Sequence, residues 1–342
     1  MSNVVSKEVQ LARRPEGMPK LEDFQVQEVD IAAPGDGEVL VRNIWMSVDP
    51  YMRGRMYDRE SYVPPFQIGA PLEGGAIGQV IASNSDKAAV GDYVQSMLGW
   101  REYFVAKGEE VQKVDTSSGV PIQAFLGTLG MPGMTAYAGL LRVGELKDGE
   151  TVFVSAASGA VGAIVCQIAK AKGCFVVGTA GSDEKCKWLE ETAGIDKAIN
   201  YKTCGDLTEA VRAAAPKGVD VYFENVGGEH LTAALENMRP MGRLAMCGMI
   251  SQYNDTEPTP GPSNLIYMVG KSLKMQGFIV SNHFDLLPDF IRDMTKWIGE
   301  GKIKWEETVE DGIERAPNAF LNLFTGGNMG KMLVKVGPDK AI

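Results

Sequence analysis

Between Glu150 and Lys170 the chain carries no charged residue, and the run Thr151–Ala169 is apolar or small throughout. Length and hydropathy alone fit a bilayer span. Its interior argues otherwise: Ser155 to Gly162 is made of small residues with glycine at 159 and 162, poor material for a lipid-facing helix. The pattern predicts a short buried strand at Val152-Phe153-Val154, a tight turn, and a buried helix running to Lys172 that Gly173 stops in the left-handed conformation.

The flanking patterns differ on the two sides of this run. From about Lys7 to Lys113 short β-favouring stretches recur: Val26–Val29, Glu38–Ile44, Ala76–Ala82 and Tyr93–Met97. Turn clusters such as Pro34-Gly35-Asp36-Gly37 and Val90-Gly91-Asp92 separate them. This predicts a compact, barrel-like β domain. From about Leu129 the period changes. A helix over Thr135–Arg142 ends at Gly144. Strands follow at Val152–Ser155, Phe175–Thr179, Ala198–Tyr201, Val219–Glu224, Arg243–Cys247 and Leu273–Val280. Helical stretches at Ala163–Lys172, Asp183–Ala193, Leu207–Ala215 and Glu229–Met238 alternate with them, the signature of βαβ units and a parallel sheet. Phe284–Glu300 is the best-formed amphipathic helix, with Leu287, Phe290, Ile291, Met294 and Ile298 on one stripe. Met332–Val336 reads as a strand returning to the first domain. The expected division is 1–128 with 304–342 for the β domain and 129–303 for the α/β domain. Thr256–Ser263, rich in proline, is a loop.

Composition narrows the picture. At 342 residues the chain is long for a single small core, in keeping with two domains. A formal net charge of −10 argues against a general binder of nucleic acid or anionic membrane. Met1–Arg14 has no apolar core of the signal-peptide kind, so a cytoplasmic protein is expected. The five cysteines form no C-x-x-C pair and the two histidines stand apart, so neither a disulfide framework nor a structural zinc cluster is expected.

The apolar run holds the candidate chemistry. A strand feeding a small-residue turn into a helix N-terminus directs free N–H groups and the positive helix end at an anion. The spacing Ala157-x-Gly159-x-x-Gly162 approaches the dinucleotide fingerprint, with alanine where the first glycine usually sits. Alone it also fits plain close packing of helix on strand; the βα context favours the dinucleotide. An NAD site usually places a carboxylate ~20 residues further on, at the tip of the second strand. Here that tip reads Thr179-Ala180-Gly181-Ser182, and Lys185 follows. A lysine without a tip carboxylate suits the 2′-phosphate of NADP, although Lys185 also reads as a solvated helix charge.

These residues carry a resemblance. The Ala157–Gly162 turn, Gly181–Lys185, Glu224–Gly228, Cys247–Asn254 and Gln276–Val280 resemble the zinc-independent medium-chain dehydrogenase/reductases. More narrowly, they are similar to the leukotriene dehydrogenase/prostaglandin reductase group. Ser47–Met56 and Ser61-Tyr62 are similar to bacterial curcumin reductases of that group. The resemblance implies an α/β protein in which a GroES-like β-barrel domain built from both chain ends accompanies a doubly wound Rossmann domain with a parallel sheet. It implies NADPH: the turn of Gly159, Ala160, Val161 and Gly162 at the pyrophosphate, and Gly181, Lys185 and Tyr201 around the 2′-phosphate. It places Asn225, Cys247, Gly248, Met249, Ile250, Ser251, Tyr253, Phe278, Ile279, Val280 and Asn328 along the rest of the cofactor. Phe278–Val280 also reads as a plain core strand.

Zinc members of the superfamily resemble one another in a cysteine ligand and a Gly-His-Glu motif. The matching places here read Ser47 and Pro71-Leu72-Glu73-Gly74, so no catalytic zinc is expected. Without a metal the site must polarise its substrate by hydrogen bonding, which fits an α,β-unsaturated ketone or aldehyde. Hydride would go to the β-carbon and a fixed donor would stabilise the enolate. Tyr253 is the first candidate and Tyr62 the second; both also read as lining only. The alternatives are a quinone reductase of the same superfamily and a cofactor-binding protein without turnover. A homodimer through the last Rossmann strand is expected.

Overall fold

The computed structural model describes residues 4–117 and 119–339, so the outermost residues of the expected domain ranges lie outside it. The chain divides into two units. The first comprises residues 1–126, 307–328 and 332–342, and the second residues 127–306 and 329–331.

In the first unit β1 (Val4–Leu11) and β2 (Phe24–Ile31) form an antiparallel pair. The main sheet holds β3 (Glu38–Ser47), β4 (Ala76–Ser83), β5 (Tyr93–Ser96), β6 (Tyr103–Lys107), β7 (Gln112–Lys113), β14 (Glu307–Asp311) and β15 (Lys331–Lys335). Its backbone is β3, nearly all buried. On one edge it pairs with β4. On the other, its first half takes β6 and its last residues take β15, all antiparallel. Helix α1 (Met52–Arg55) is a single turn after β3, and α9 (Ala316–Thr325) ends at Gly326 in the left-handed region. Phe320 of α9 packs edge-on against Phe24 and the fully buried Trp100.

The second unit is a parallel sheet of order β10-β9-β8-β11-β12-β13. Its strands are β8 (Thr151–Val154), β9 (Phe175–Ala180), β10 (Lys197–Asn200), β11 (Val219–Glu224), β12 (Met238–Met246) and β13 (Lys274–Gly277). Both faces are covered, as parallel sheets require. Val152, Val154, Val221 and Phe223 join one core with Ile164, Val165 and Ile168 of α3 (Gly162–Ala171). Their neighbours Phe153 and Tyr222 join the other, with Val211 of α5 (Leu207–Ala214) and Leu231 and Leu235 of α6 (Gly228–Asn237). Helix α4 (Asp183–Glu191) follows β9. The strand order turns back at β8/β11, and in such sheets the crevice at the carboxyl ends of those strands is the ligand site.

Three expected elements come out differently. The helix expected over Thr135–Arg142 starts earlier, as α2 (Met131–Tyr137), and widens into a π-helical turn over Ala138–Val143, closed by Gly144 N–H to Gly139 O at 2.8 Å. Gly139 lies so close to the Phe223 and Phe278 rings that a Cβ would fall 2.7 and 2.3 Å from them. The strand expected over Leu273–Val280 is only β13, because Val280–Leu286 forms 3-10 turns. The long amphipathic helix is α8 (Leu287–Gly299), started by Pro288, which has no N–H to offer a preceding turn. Phe290 and Met294 are fully buried, whereas Leu287 and Ile291 of the same stripe are exposed. A further short helix, α7 (Tyr267–Gly270), lies between β12 and β13. No described helix is long and apolar enough to cross a membrane.

Candidate functional site: a dinucleotide seat

The turn after β8 is held from both sides. Ser155 N–H donates to Phe223 O on β11 at 3.2 Å, and Ala157 N–H donates to Thr179 O on β9 at 2.8 Å. Ala156 sits at φ 47°, a left-handed conformation that an alanine adopts only under constraint. Gly162 opens α3 where a Cβ would fall 2.3 Å from Ala156 O, so the helix approaches the turn as only glycine allows. The alanine in place of the first fingerprint glycine is accommodated by Gly178 on β9, whose added Cβ would lie 2.6 Å from Ala157 Cβ. Gly159 and Gly330 form a β-bridge, with Gly330 N–H donating to Ser158 O at 2.9 Å. Asn328 precedes this bridge by two residues and belongs to the first unit.

At the tips of β9 and β10 lies a second cluster. Ser182 caps α4 by accepting the Lys185 N–H at 3.3 Å. A Cβ added to Gly181 would meet Tyr201 Oη at 3.1 Å and Lys202 Cε at 3.3 Å. Burial, and then the nearby Lys202 ammonium, push the Lys185 pKa below its usual value. Two like charges, Lys185 and Lys202, near a bare glycine are an arrangement that an anion would relieve. Asp183, the carboxylate nearest the β9 tip, accepts from Asn200 Nδ2 at 2.7 Å. Under Tyr201 the His230 ring packs edge-to-face with centroids 5.1 Å apart, and burial lowers the His230 pKa to about 4. Lys202 and His230 were not anticipated from the sequence. Lys202 directly follows Tyr201 and was legible as the next residue past the same strand tip.

Between these clusters, the loops after β11 and β12 are zipped together. Ile250 N–H donates to Asn225 O at 3.1 Å, and Ser251 N–H to Val226 O at 3.0 Å. Asn225 Nδ2 reaches Ser155 O at 2.8 Å, tying this pair of loops to the β8 turn. The Tyr253 hydroxyl lies over Gly248, where a Cβ would come within 2.9 Å of it. Burial pushes the Cys247 thiol up to about 12, so it is no nucleophile at neutral pH. Met249 packs against Gly227. Phe278 stacks edge-on with Phe223 and His283, directed to the core, while Ile279 and Val280 are half-buried beyond β13. The residues named from the sequence in this unit thus fall on the carboxyl-end loops of β8, β9, β10, β11, β12 and β13.

In the first unit Tyr62 is exposed and lies within electrostatic reach of Tyr51, which Asp49, Arg55 and Glu73 also reach. The positions that would carry zinc ligands are engaged otherwise. The Ser47 hydroxyl donates to Asp49, Leu72 is core, and Arg55 binds Glu73 at 2.7 Å. A hydroxyl, a leucine and an ion-paired glutamate do not make a catalytic zinc site.

Comparison with known proteins identifies both halves. Residues 7–114 match the family described as the N-terminal domain of oxidoreductase, and residues 160–298 match the family described as zinc-binding dehydrogenase. The NADPH-dependent curcumin reductase of Escherichia coli (strain K12) is 43% identical over 334 residues, covering 96% of this chain and 96% of that protein. The NADP(+)-dependent 2-alkenal reductase of Nicotiana tabacum is 45% identical over 340 residues, covering 98% and 99%. The crystal structure of CurA in complex with NADPH from Vibrio vulnificus superposes with a TM-score of 0.92 at 41% identity, covering 97% of this chain and 99% of that one. A GroES-like domain with a Rossmann domain makes the chain an oxidoreductase of the medium-chain dehydrogenase/reductase class. Within that class it belongs to the prostaglandin, alkenal and curcumin reductase group.

Proposed function

We propose that the chain uses NADPH to reduce the carbon–carbon double bond of α,β-unsaturated ketones or aldehydes. The observation that carries the cofactor choice is the Lys185–Lys202 pair beside Gly181 and Tyr201, with no carboxylate at the β9 tip. Gly159, Ala160, Val161 and Gly162 would cradle the pyrophosphate, and Asn225, Cys247–Ser251, Phe278–Val280 and Asn328 the remainder. The fit is supported by two bare glycines: Gly162 lets α3 close onto the turn, and a side chain at Gly181 would enter the space beside Tyr201 Oη and Lys202 that a phosphate needs. The printed names of the relatives support the substrate class.

NADPH, when bound, supplies the hydride that the β-carbon receives. The chain's own task is to hold the carbonyl oxygen while it gains charge. Tyr253, whose hydroxyl lies over Gly248, is the proposed hydrogen-bond donor. Tyr62 of the first unit is the second candidate. The α-carbon proton comes from a tyrosine or from water. Following loss of reduced-nicotinamide absorbance with a panel of enones of different length, and with a simple quinone, tests the reading. Turnover of the quinone alone overturns it. Removing one oxyanion donor costs ~10²–10³ in kcat, so Tyr253→Phe should fall by that order; a loss under about threefold removes Tyr253 from the role.

A further inference from the structure

At the switch point of the sheet a carboxyl group stands where the mechanism above does not use one. Glu224 closes β11 and is fully buried, beside the equally buried Ser155 that follows β8. Strand pairing puts Phe153 against Tyr222 and Val154 against Phe223, and Ser155 and Glu224 are the next step of that ladder. Ser155 Oγ donates to Glu224 Oε1 at 2.9 Å, and the same Oε1 accepts the Val226 N–H at 2.7 Å. Ser155 Oγ in turn accepts the Asn225 N–H at 2.8 Å. The Glu224 carbonyl takes two more bonds, from Cys247 N–H at 3.0 Å and Gly248 N–H at 3.1 Å. One residue therefore ties together the β8 turn, the Asn225–Gly227 loop and the Cys247–Gly248 segment.

We propose that Glu224, acting through Ser155, is a positioning residue that locks these three segments into one preformed dinucleotide seat. The proposal rests on the cofactor reading above. A salt bridge is not what holds the carboxyl there, since its partners are neutral donors. Burial pushes its pKa upward, and the Gly227 and Val226 N–H groups oppose that shift. Among the described residues, Glu224 Oε2 has no hydrogen-bond partner. The Tyr222 hydroxyl lies within electrostatic range of the carboxyl without meeting hydrogen-bond geometry. The acceptor oxygen, rather than the charge, is then the functional part, and a glutamine can supply the same acceptor. Leaving the partly buried Val226 and Asn225 N–H groups without acceptors loosens the seat rather than any one contact to the ligand.

The test compares Glu224→Ala, Ser155→Ala and Glu224→Gln with the unaltered full chain. NADPH and NADH affinities are read by fluorescence titration, and backbone exchange in the cofactor-free protein is read over residues 155–162 and 225–227. Expected are a roughly tenfold or greater loss for both cofactors alike in Glu224→Ala and a smaller, equally shared loss in Ser155→Ala. Both loops should exchange faster, the cofactor KM should rise more than kcat falls, and Glu224→Gln should return affinity to near that of the unaltered chain. If Glu224→Ala fails to fold, Ser155→Ala carries the test. Unchanged affinity and exchange in folded Ser155→Ala overturns the proposal, as does a loss in Glu224→Gln equal to that in Glu224→Ala. A loss confined to NADPH also overturns it, because the effect would then lie at the 2′-phosphate. Failure of the unaltered chain to bind either cofactor would instead bring down the cofactor reading itself, and the proposal with it.

Discussion

Replacing Lys185 by alanine should separate the two nicotinamide cofactors. A hydrogen bond to a charged group is worth about 1.5–3 kcal/mol, roughly 10–150-fold in affinity. Lys185 is half-buried, so water and salt screen its charge and the low end applies, about 10–30-fold for NADPH. NADH, which has no 2′-phosphate, should change by less than about twofold on the same reasoning. The free protein should not suffer, because burial and the neighbouring Lys202 both disfavour the ammonium before any anion arrives. Lys202→Ala should act in the same direction. The double variant should lose more than the product of the two, since removing one ammonium relieves the other and so buffers each single loss. The sign of the pH effect follows. The free-state Lys185 pKa is lowered, and a bound phosphate would raise it again, so NADPH binding takes up a proton and weakens as pH climbs through the alkaline lysine range. Fluorescence titration of both cofactors at two ionic strengths measures all of this. Equal loss for NADPH and NADH in Lys185→Ala refutes the assignment.

Exchanging the partners at the β8 turn should show their dependence: Gly178→Ala alone brings two Cβ atoms to 2.6 Å and should cost about 1–3 kcal/mol in thermal unfolding. Adding Ala157→Gly should recover most of that, and a purely additive pair would refute the coupling. His230 has its pKa lowered from 6.5 to about 4, so between those values the unfolded chain binds the proton that the folded chain refuses. Stability should therefore fall as pH drops through that window, by about 3 kcal/mol in all; His230→Phe should flatten that slope in urea unfolding at pH 7.5 and 5, and an unchanged slope would exclude His230. Strand β13 forms an open edge of its sheet and is largely exposed, and such edges are covered by pairing. A homodimer through β13 is accordingly proposed, and a sedimentation result of monomer alone at micromolar concentration would reject it.

The alternation of strands and helices after Leu129 was legible because a parallel sheet buries both faces of each strand, leaving short apolar runs such as Thr151–Val154 between helical periods. The elements that escaped reading lack such contrast. β6 and β14 are short and half-exposed, and α9 carries Pro317, Asn318 and Asn322 among its apolar residues. The π-helical turn at Ala138–Val143 leaves no local mark in the sequence, and the Phe223 and Phe278 rings that crowd its Gly139 come from distant segments. The candidate site followed the same division. The glycines and Asn225 sit in the turns after strands, and Lys185 in the first helical turn after β9, where the pattern itself points. Lys202 follows Tyr201 at the β10 tip but gains its neighbours from β9 alongside, and Glu224 counts only because β8 lies beside β11.

The alanine at the first fingerprint position shows why the motif was weak as a string and complete as a structure. The usual glycine is needed because the turn passes close to its neighbours, not because the pyrophosphate demands that residue type. Closeness is a property of two surfaces. Here Gly178 on β9 gives up its side chain opposite Ala157, and Gly162 still lets α3 come within contact of Ala156 O. The glycine has in effect moved from the turn to the adjacent strand. The same logic binds the rest of the seat: Ser155 meets Glu224 across the strands, and Tyr201 meets His230 across strand tip and helix. A dinucleotide fingerprint read along one segment samples half of each such pair.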